Sequence, residues 1–169
     1  DVEIDYSMIR PAGARLMTMG GRASGPQPLI DLMKFTRGKM FNAQGRQLTA
    51  LELHDIICQI GLIVVAGGVR RSALISLSEL HDKELRDAKS GEFWNENGQR
   101  SMANNSAVYA EKPSVEEFGE EWAALVASGT GERGIFNRGS LENQVPARRW
   151  EKLKNQNQVG VNPCGEIYL

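Results

Sequence analysis

Cysteine and histidine are scarce in this chain, with two of each in 169 residues. His54 and Cys58 form the sole pair of such residues at helical i, i+4 spacing, and two ligands do not close a zinc site, so no metal centre is expected. Cys58 and Cys164 stand far apart and give no disulfide framework, which favours a reducing compartment, with the cytoplasm as default. Charge of one sign is lacking as well. Twenty Lys and Arg oppose twenty-one Asp and Glu, leaving a formal net charge of -1, so no overall field favours direct contact with nucleic acid or an anionic membrane. The longest apolar run, near Ile56 to Ala66, is interrupted by Cys58, Gln59 and Gly61 and is too short and too polar to span a bilayer. No secretory leader is visible at the start. A Walker loop, a dinucleotide fingerprint, a nucleophile elbow, internal repeats and low-complexity tracts are also missing.

What remains is ordinary globular composition, 41% apolar and 24% charged, in a chain long enough for one domain with a core. The sequence opens on Asp1 and stops at Leu169 inside an apolar run. It therefore reads as a piece of a single larger domain, truncated at both ends.

The segment RPAGARLMTMGGRASGPQP, dense in Gly and Pro, reads as a structured loop leading into a helix at about Leu29 to Phe41. Thr49 and Glu52 form a capping-box pattern ahead of Leu53, Ile56, Ile57, Ile60 and Val64 at helical spacing, with Gly67 and Gly68 ending that helix. VRRSALISLS reads as a strand starting at Arg70 or Arg71, followed by a charged helix from about Leu80 to Lys89. NNSAVYAE predicts a second strand. Ser114 and Glu117 make another capping box, before a helix that would bury Val115, Phe118, Trp122, Leu125 and Val126. GIFNR is a short strand candidate, and RRWEKLKNQNQ reads as polar and exposed. Alternating strands and helices favour an α/β architecture.

The last stretch, VGVNPCGEIYL, sets Asn162, Cys164 and Glu166 at every second position around a Pro and a Gly. In extended backbone that spacing puts an amide, a thiol and a carboxylate on one surface. Pro163 cannot donate to a ladder and Gly165 has nothing to pack, so the stretch reads as a loop that presents groups. Cys164 has several readings. It can be a small buried hydrophobe. A nucleophile would need a nearby cation, histidine or helix N-terminus to favour its thiolate, and a carboxylate two residues away does the opposite. Hydrogen-atom transfer suits a neutral thiol, with Glu166 taking a proton and Asn162 holding a hydroxyl, but radical work needs a cofactor to start it.

AGGVRRSA reads equally as a helix cap with surface charges or as a phosphate or base contact. At a strand start Arg70 and Arg71 would point to opposite faces, so one of them can meet a given ligand. GGRASGP reads first as a flexible loop and second as a ligand loop. His54, His81 and Cys58 read as structural, and Asn104 and Asn105 as shaping the start of a strand.

Together, DYSMIRPAGARL, GGRASGPQPLIDL, VVAGGVRRSALISL, NNSAVY, GERGIFNR and NPCGEI resemble the adenosylcobalamin-dependent, or class II, ribonucleotide reductases, in that family's order and over nearly the whole chain. The helix between the two glycine-rich segments is more similar to the monomeric, triphosphate-reducing subgroup. The resemblance implies a ten-stranded α/β barrel made of two half-barrels, with a central finger loop carrying the catalytic cysteine. It implies that Cys164 becomes a thiyl radical and removes the 3′ hydrogen of a ribonucleotide, that Glu166 acts on the 3′ hydroxyl, and that Asn162 hydrogen-bonds substrate. It further implies a deoxynucleotide or ATP effector read by loops containing Gly20, Gly21, Ala23, Ser24 and Gly25 and Gly67, Gly68, Arg70 and Arg71. A thioredoxin-like reductant would serve the full-length enzyme through a cysteine pair outside this chain.

Overall fold

A computed structural model describes residues 2–18, 20–66, 69–70, 72–154 and 159–164. The chain divides into two units, Asp1–Ala73 and Leu74–Leu169.

In the first unit the Gly/Pro-rich segment folds back on itself. The Gly13 amide donates to the Ala23 carbonyl at 2.9 Å, Ala23 to Ala14 at 2.8 Å and Leu16 to Gly21 at 3.0 Å, with Arg15 bridged to Arg22. Gly25 ends this hairpin at φ +79°, where an added Cβ would lie 2.9 Å from that of Ala12, so glycine is required both by backbone and by space. Helix α1 (Gln27–Asn42) follows, with Pro in its first turn, where a missing amide costs nothing. Helix α2 (Ala50–Ile63) starts at the expected capping box, Glu52 donating its amide to the Thr49 hydroxyl at 3.2 Å and receiving the Thr49 amide at 2.9 Å. The two helices are tied by Lys39 and the buried carboxylate of Asp55, 2.7 Å apart.

Two expectations for α2 are corrected. The helix ends at Ile63, before Gly67 and Gly68, because the β-branched run at 63–65 favours extended backbone. It continues as β1 (Val65–Ala66), paired antiparallel with β2 (Val69–Arg70). The buried face is His54, Cys58 and Gly61 with Asp55, while Leu53, Ile57, Ile60 and Val64 stay 40 to 51% exposed. The ion pair to Lys39 and the small residues Cys58 and Gly61 turn that side toward its neighbours, and the aliphatic stripe lies round the helix from it.

The second unit is built on three parallel strands in the order β3 (Leu74–Glu79), β4 (Ala103–Val108), β5 (Gly134–Phe136). The strand expected from Arg70 or Arg71 is therefore two, β2 and β3. Between them the Ser72 hydroxyl donates to the Gly61 carbonyl at 2.8 Å, an alternative to a ladder bond. Helices α3 (Lys83–Asp87) and α4 (Trp94–Asn97) connect β3 to β4, and α5 (Val115–Ser128) connects β4 to β5. Helix α3 is shorter than the expected Leu80 to Lys89 because Asp82 caps it, accepting the Leu85 amide at 3.0 Å. Helix α5 begins at its capping box and ends at Gly129, φ +68°, in the left-handed cap conformation.

The register sorts the strand residues into two faces. Ile75, Leu77, Asn104, Ser106, Val108, Gly134 and Phe136 share one, and Ser76, Ser78, Ala103, Asn105, Ala107 and Ile135 the other. Short helices α6 (Leu141–Gln144) and α7 (Ala147–Leu153) complete the core of the first face, where Leu141, Leu153 and Val159 pack with Val108 and Phe136. The region read as exposed is thus partly a helix with a buried end. On the opposite face α5 presents Glu121 and Ser128, not the expected apolar stripe: Val115, Phe118, Trp122 and Val126 are 42 to 90% exposed. The reason is a buried arginine that needs the Glu121 carboxylate.

Candidate functional site

The segment that carries Cys164 crosses the first face of the sheet. Val159 packs with Val108 and Phe136, an added Cβ on Gly160 would lie 3.5 Å from Leu77, and the Pro163 carbonyl accepts a bond from the Asn104 side-chain amide at 3.1 Å. Moving from 159 to 163 therefore runs from the 108 end of β4 to its 104 end, opposite in direction to the strand. A second staple holds the start of the segment: Arg138 Nε donates to the Val159 carbonyl at 2.7 Å while its guanidinium lies 5.8 Å from the Phe136 ring centre. The Cys164 thiol is exposed and Asn162 half-buried. Gly165 and Glu166 lie outside the described residues, and so does the expected side-by-side arrangement of Asn162, Cys164 and Glu166.

The opposite face holds the frame. Arg133 is 1% exposed and uses its whole guanidinium: Nε and Nη2 grip Glu121 at 2.6 and 2.9 Å, Nη1 donates to the Ser78 hydroxyl at 2.7 Å and the Glu79 carbonyl at 3.1 Å, and Nη2 to the Leu80 carbonyl at 2.7 Å. Its neighbour Glu132 receives Lys89 Nζ at 2.7 Å and the Asn105 amide at 2.8 Å, and Lys89 also donates to the Ala103 carbonyl. Charges buried this deeply persist where every donor finds an acceptor. Nearby, burial pushes the Tyr109 hydroxyl above its ordinary pKa, and the Glu121 carboxylate adds to that shift.

In the first unit Gly20 and Gly21 adopt φ of +71° and +78° in the hairpin, with Ala23, Ser24 and Gly25 on its returning limb. Arg70 stands in β2 opposite Val65, whereas Gly67, Gly68 and Arg71 lie outside the described residues. Cys58 is fully buried, its sulfur 3.7 Å from the His54 ring nitrogens, as suits a packing residue. His81 is exposed, 3.6 Å from Glu117. Sequence reasoning read Asn104 only as shaping the start of a strand and passed over Glu132, Arg133 and Arg138 as individual residues. Their signal was present as polar and charged side chains inside strand-like segments, NNSAVY and GERGIFNR.

No family profile and no solved structure matches the chain. Curated proteins do. The adenosylcobalamin-dependent ribonucleoside-triphosphate reductase of Euglena gracilis is 40% identical over 171 residues, covering 100% of this chain and 23% of its own length. Those of Lacticaseibacillus paracasei and Lactobacillus leichmannii are 37% and 34% identical, each over 98% of this chain and 22% of their own length. The chain is a homologue of one stretch of these reductases. It spans 22 to 23% of the length of the relatives named. Among the described residues no helix is long and apolar enough to cross a membrane.

Proposed function

We propose that this chain is the central segment of a cytoplasmic ribonucleoside-triphosphate reductase, both of its units belonging to one ten-stranded catalytic barrel. The observation that carries the reading is homology over the whole chain to reductases of that name, joined to an exposed Cys164 at the end of a segment stapled across a parallel sheet. The three parallel strands are then part of the barrel wall, and residues 159–164 the stem of its finger loop.

Cys164 loses a hydrogen atom to become a thiyl radical and takes the 3′ hydrogen of the bound ribonucleotide, re-forming its S–H bond. Glu166 accepts the 3′ hydroxyl proton as general base, and Asn162 hydrogen-bonds the substrate. Over the full reaction a dithiol becomes a disulfide, the 2′ hydroxyl leaves as water, and the 2′ carbon gains hydrogen. The dithiol belongs to cysteines outside this chain, restored by a thioredoxin-like partner. Adenosylcobalamin, when bound, supplies the radical chemistry that a thiol lacks. The thiol fits that role by its exposure. The corrin would be held by segments of the full-length protein outside this chain; among the described residues, a cavity of about 510 Å3 lined by Val2, Ile4, Tyr6, Met33 and Met40, and one of about 350 Å3 lined by Glu79, His81, Tyr109, Lys112 and Arg138, are of ordinary small-molecule size. A deoxynucleotide or ATP effector is read by the two glycine-rich loops of the first unit, through Gly20, Gly21, Ala23, Ser24 and Gly25 and through Gly67, Gly68, Arg70 and Arg71.

Cys164→Ser in the full-length protein tests this. An O–H bond is much harder to break homolytically than S–H, so deoxynucleotide formation should stop while effector nucleotide still binds. Near-normal reduction by that variant overturns the radical assignment, and turnover of the parent protein without adenosylcobalamin overturns the cofactor.

A further inference from the structure

Strand β4 is the middle strand of a parallel sheet, a place where both faces ordinarily carry apolar side chains. Asn104 breaks that rule on the face crossed by the finger segment, and its amide donates to the Pro163 carbonyl across 59 positions of sequence. A peptide unit is planar, so the Pro163 oxygen, the Cys164 nitrogen and the Cys164 Cα lie in one plane. Holding the oxygen therefore restrains the peptide unit from which the Cys164 side chain departs. Pro163 adds a φ locked by its ring, and Arg138 holds the Val159 carbonyl four residues earlier, so the stem is fixed at both ends.

We propose that Asn104 is a positioning residue for Cys164, acting through the Pro163 carbonyl. The proposal rests on the reductase reading for its kinetic consequence, while its geometric consequence stands without it. Hydrogen abstraction is sensitive to the distance and direction between sulfur and substrate carbon, and a misplacement of about 1 Å can cost on the order of a hundredfold in rate. Asn104 need not touch the substrate to matter. It sets where the sulfur stands.

The test uses the full-length protein with Asn104→Asp, which keeps the shape but replaces the donor by an acceptor facing a carbonyl, and Asn104→Ala as the second variant. Three quantities are read: kcat and KM for ribonucleotide reduction, the rate of Cys164 alkylation by iodoacetamide without coenzyme, followed by peptide mapping, and the melting temperature. Both variants should lower kcat by about ten- to a hundredfold with KM held within about twofold. Cys164 alkylation should change by at least about threefold as the thiol leaves its fixed setting, with melting within about 2 °C of the parent. Parental kcat and alkylation in Asn104→Asp overturn the proposal, and so do losses that appear only alongside a large fall in melting temperature. An inactive Cys164→Ser beside a fully active Asn104→Asp removes the positioning role and leaves the reductase reading intact. An active Cys164→Ser removes the reductase reading, and the alkylation rate still decides whether Asn104 sets the thiol.

Discussion

Replacing Arg133 by Met should loosen the sheet far more than an ordinary substitution, because of what it strands. The guanidinium is buried and engages Glu121 with two bonds, the Ser78 hydroxyl, and the carbonyls of Glu79 and Leu80. Its loss leaves the Glu121 carboxylate, itself 5% exposed, without its countercharge, and breaking one side of a buried pair costs about 3–5 kcal/mol. The three neutral acceptors add about 0.5–1.5 kcal/mol each if nothing replaces the donors, although such terms overlap and do not sum. A working figure of about 4 kcal/mol is on the order of a thousandfold in the opening equilibrium of this region. Amide hydrogen exchange in β3, β4 and β5 of the full-length protein measures it directly. Arg133→Met combined with Glu121→Leu should recover at least about 2 kcal/mol, since apolar replacement of a whole buried pair is often neutral. Exchange in Arg133→Met within about threefold of the parent, or a double variant no better than the single, would refute the reasoning.

Three other perturbations follow from the same structure. Arg46 and then the Thr49 amide hold Glu52 down to a pKa of about 2 from 4.5, so its contribution to α2 is present above its ordinary range and lost as pH falls toward about 2. The stability gap between the parent and Glu52→Ala should be constant around neutral pH and begin to close below about pH 4.5; a gap that widens in acid contradicts this. Gly139→Ala should destabilise by about 1–3 kcal/mol or more, because the new Cβ would sit 2.2 Å from the Ala110 carbonyl oxygen and only backbone can move away; urea midpoints within error of the parent would show the loop relaxes freely. Cys58→Ala should cost about 1 kcal/mol with turnover retained, and under native conditions iodoacetamide should label exposed Cys164 well before Cys58; loss of turnover in a stably folded Cys58→Ala protein would assign that thiol a role in the chemistry.

Local signals were legible and long-range ones were not. The Thr49/Glu52 and Ser114/Glu117 boxes located the starts of α2 and α5 to the residue, because both partners of each box sit within one helical turn. The alternation of strands and helices gave the α/β class, and NNSAVYAE and GIFNR located β4 and β5, although β4 already ends at Val108 and β5 at Phe136. Which helix face turns inward was not legible. For α5 the apolar stripe of Phe118, Trp122 and Val126 pointed one way, and the decision lay with Arg133, twelve residues beyond Glu121 and reached through the sheet. Cys164 and Asn162 stood out by spacing and resemblance, yet Asn104 and Arg138 could not, since their partners are backbone carbonyls that every residue carries.

The polar half of β4 ties these observations together. Asn104, Asn105 and Ser106 follow Ala103 in a central strand that closes with the apolar Ala107 and Val108, although strand propensity in the middle of a parallel sheet favours apolar residues. Two separate demands meet there. On one face the Asn104 side chain receives the finger at Pro163, and in the plane of the sheet the Asn105 backbone N–H is anchored by Glu132, which Lys89 in turn neutralises. A sequence that breaks its local rule commonly does so at a functional or strained site and recovers the loss elsewhere. Here the recovery is visible in the packing of Val108, Phe136, Leu141, Leu153 and Val159 at the far end of the same face. The apolar end fixes the sheet and the start of the finger stem, which leaves the polar end free to set the direction of the residues that follow. Stability and thiol placement are thereby assigned to opposite ends of one strand, and a substitution at either end should disturb one more than the other.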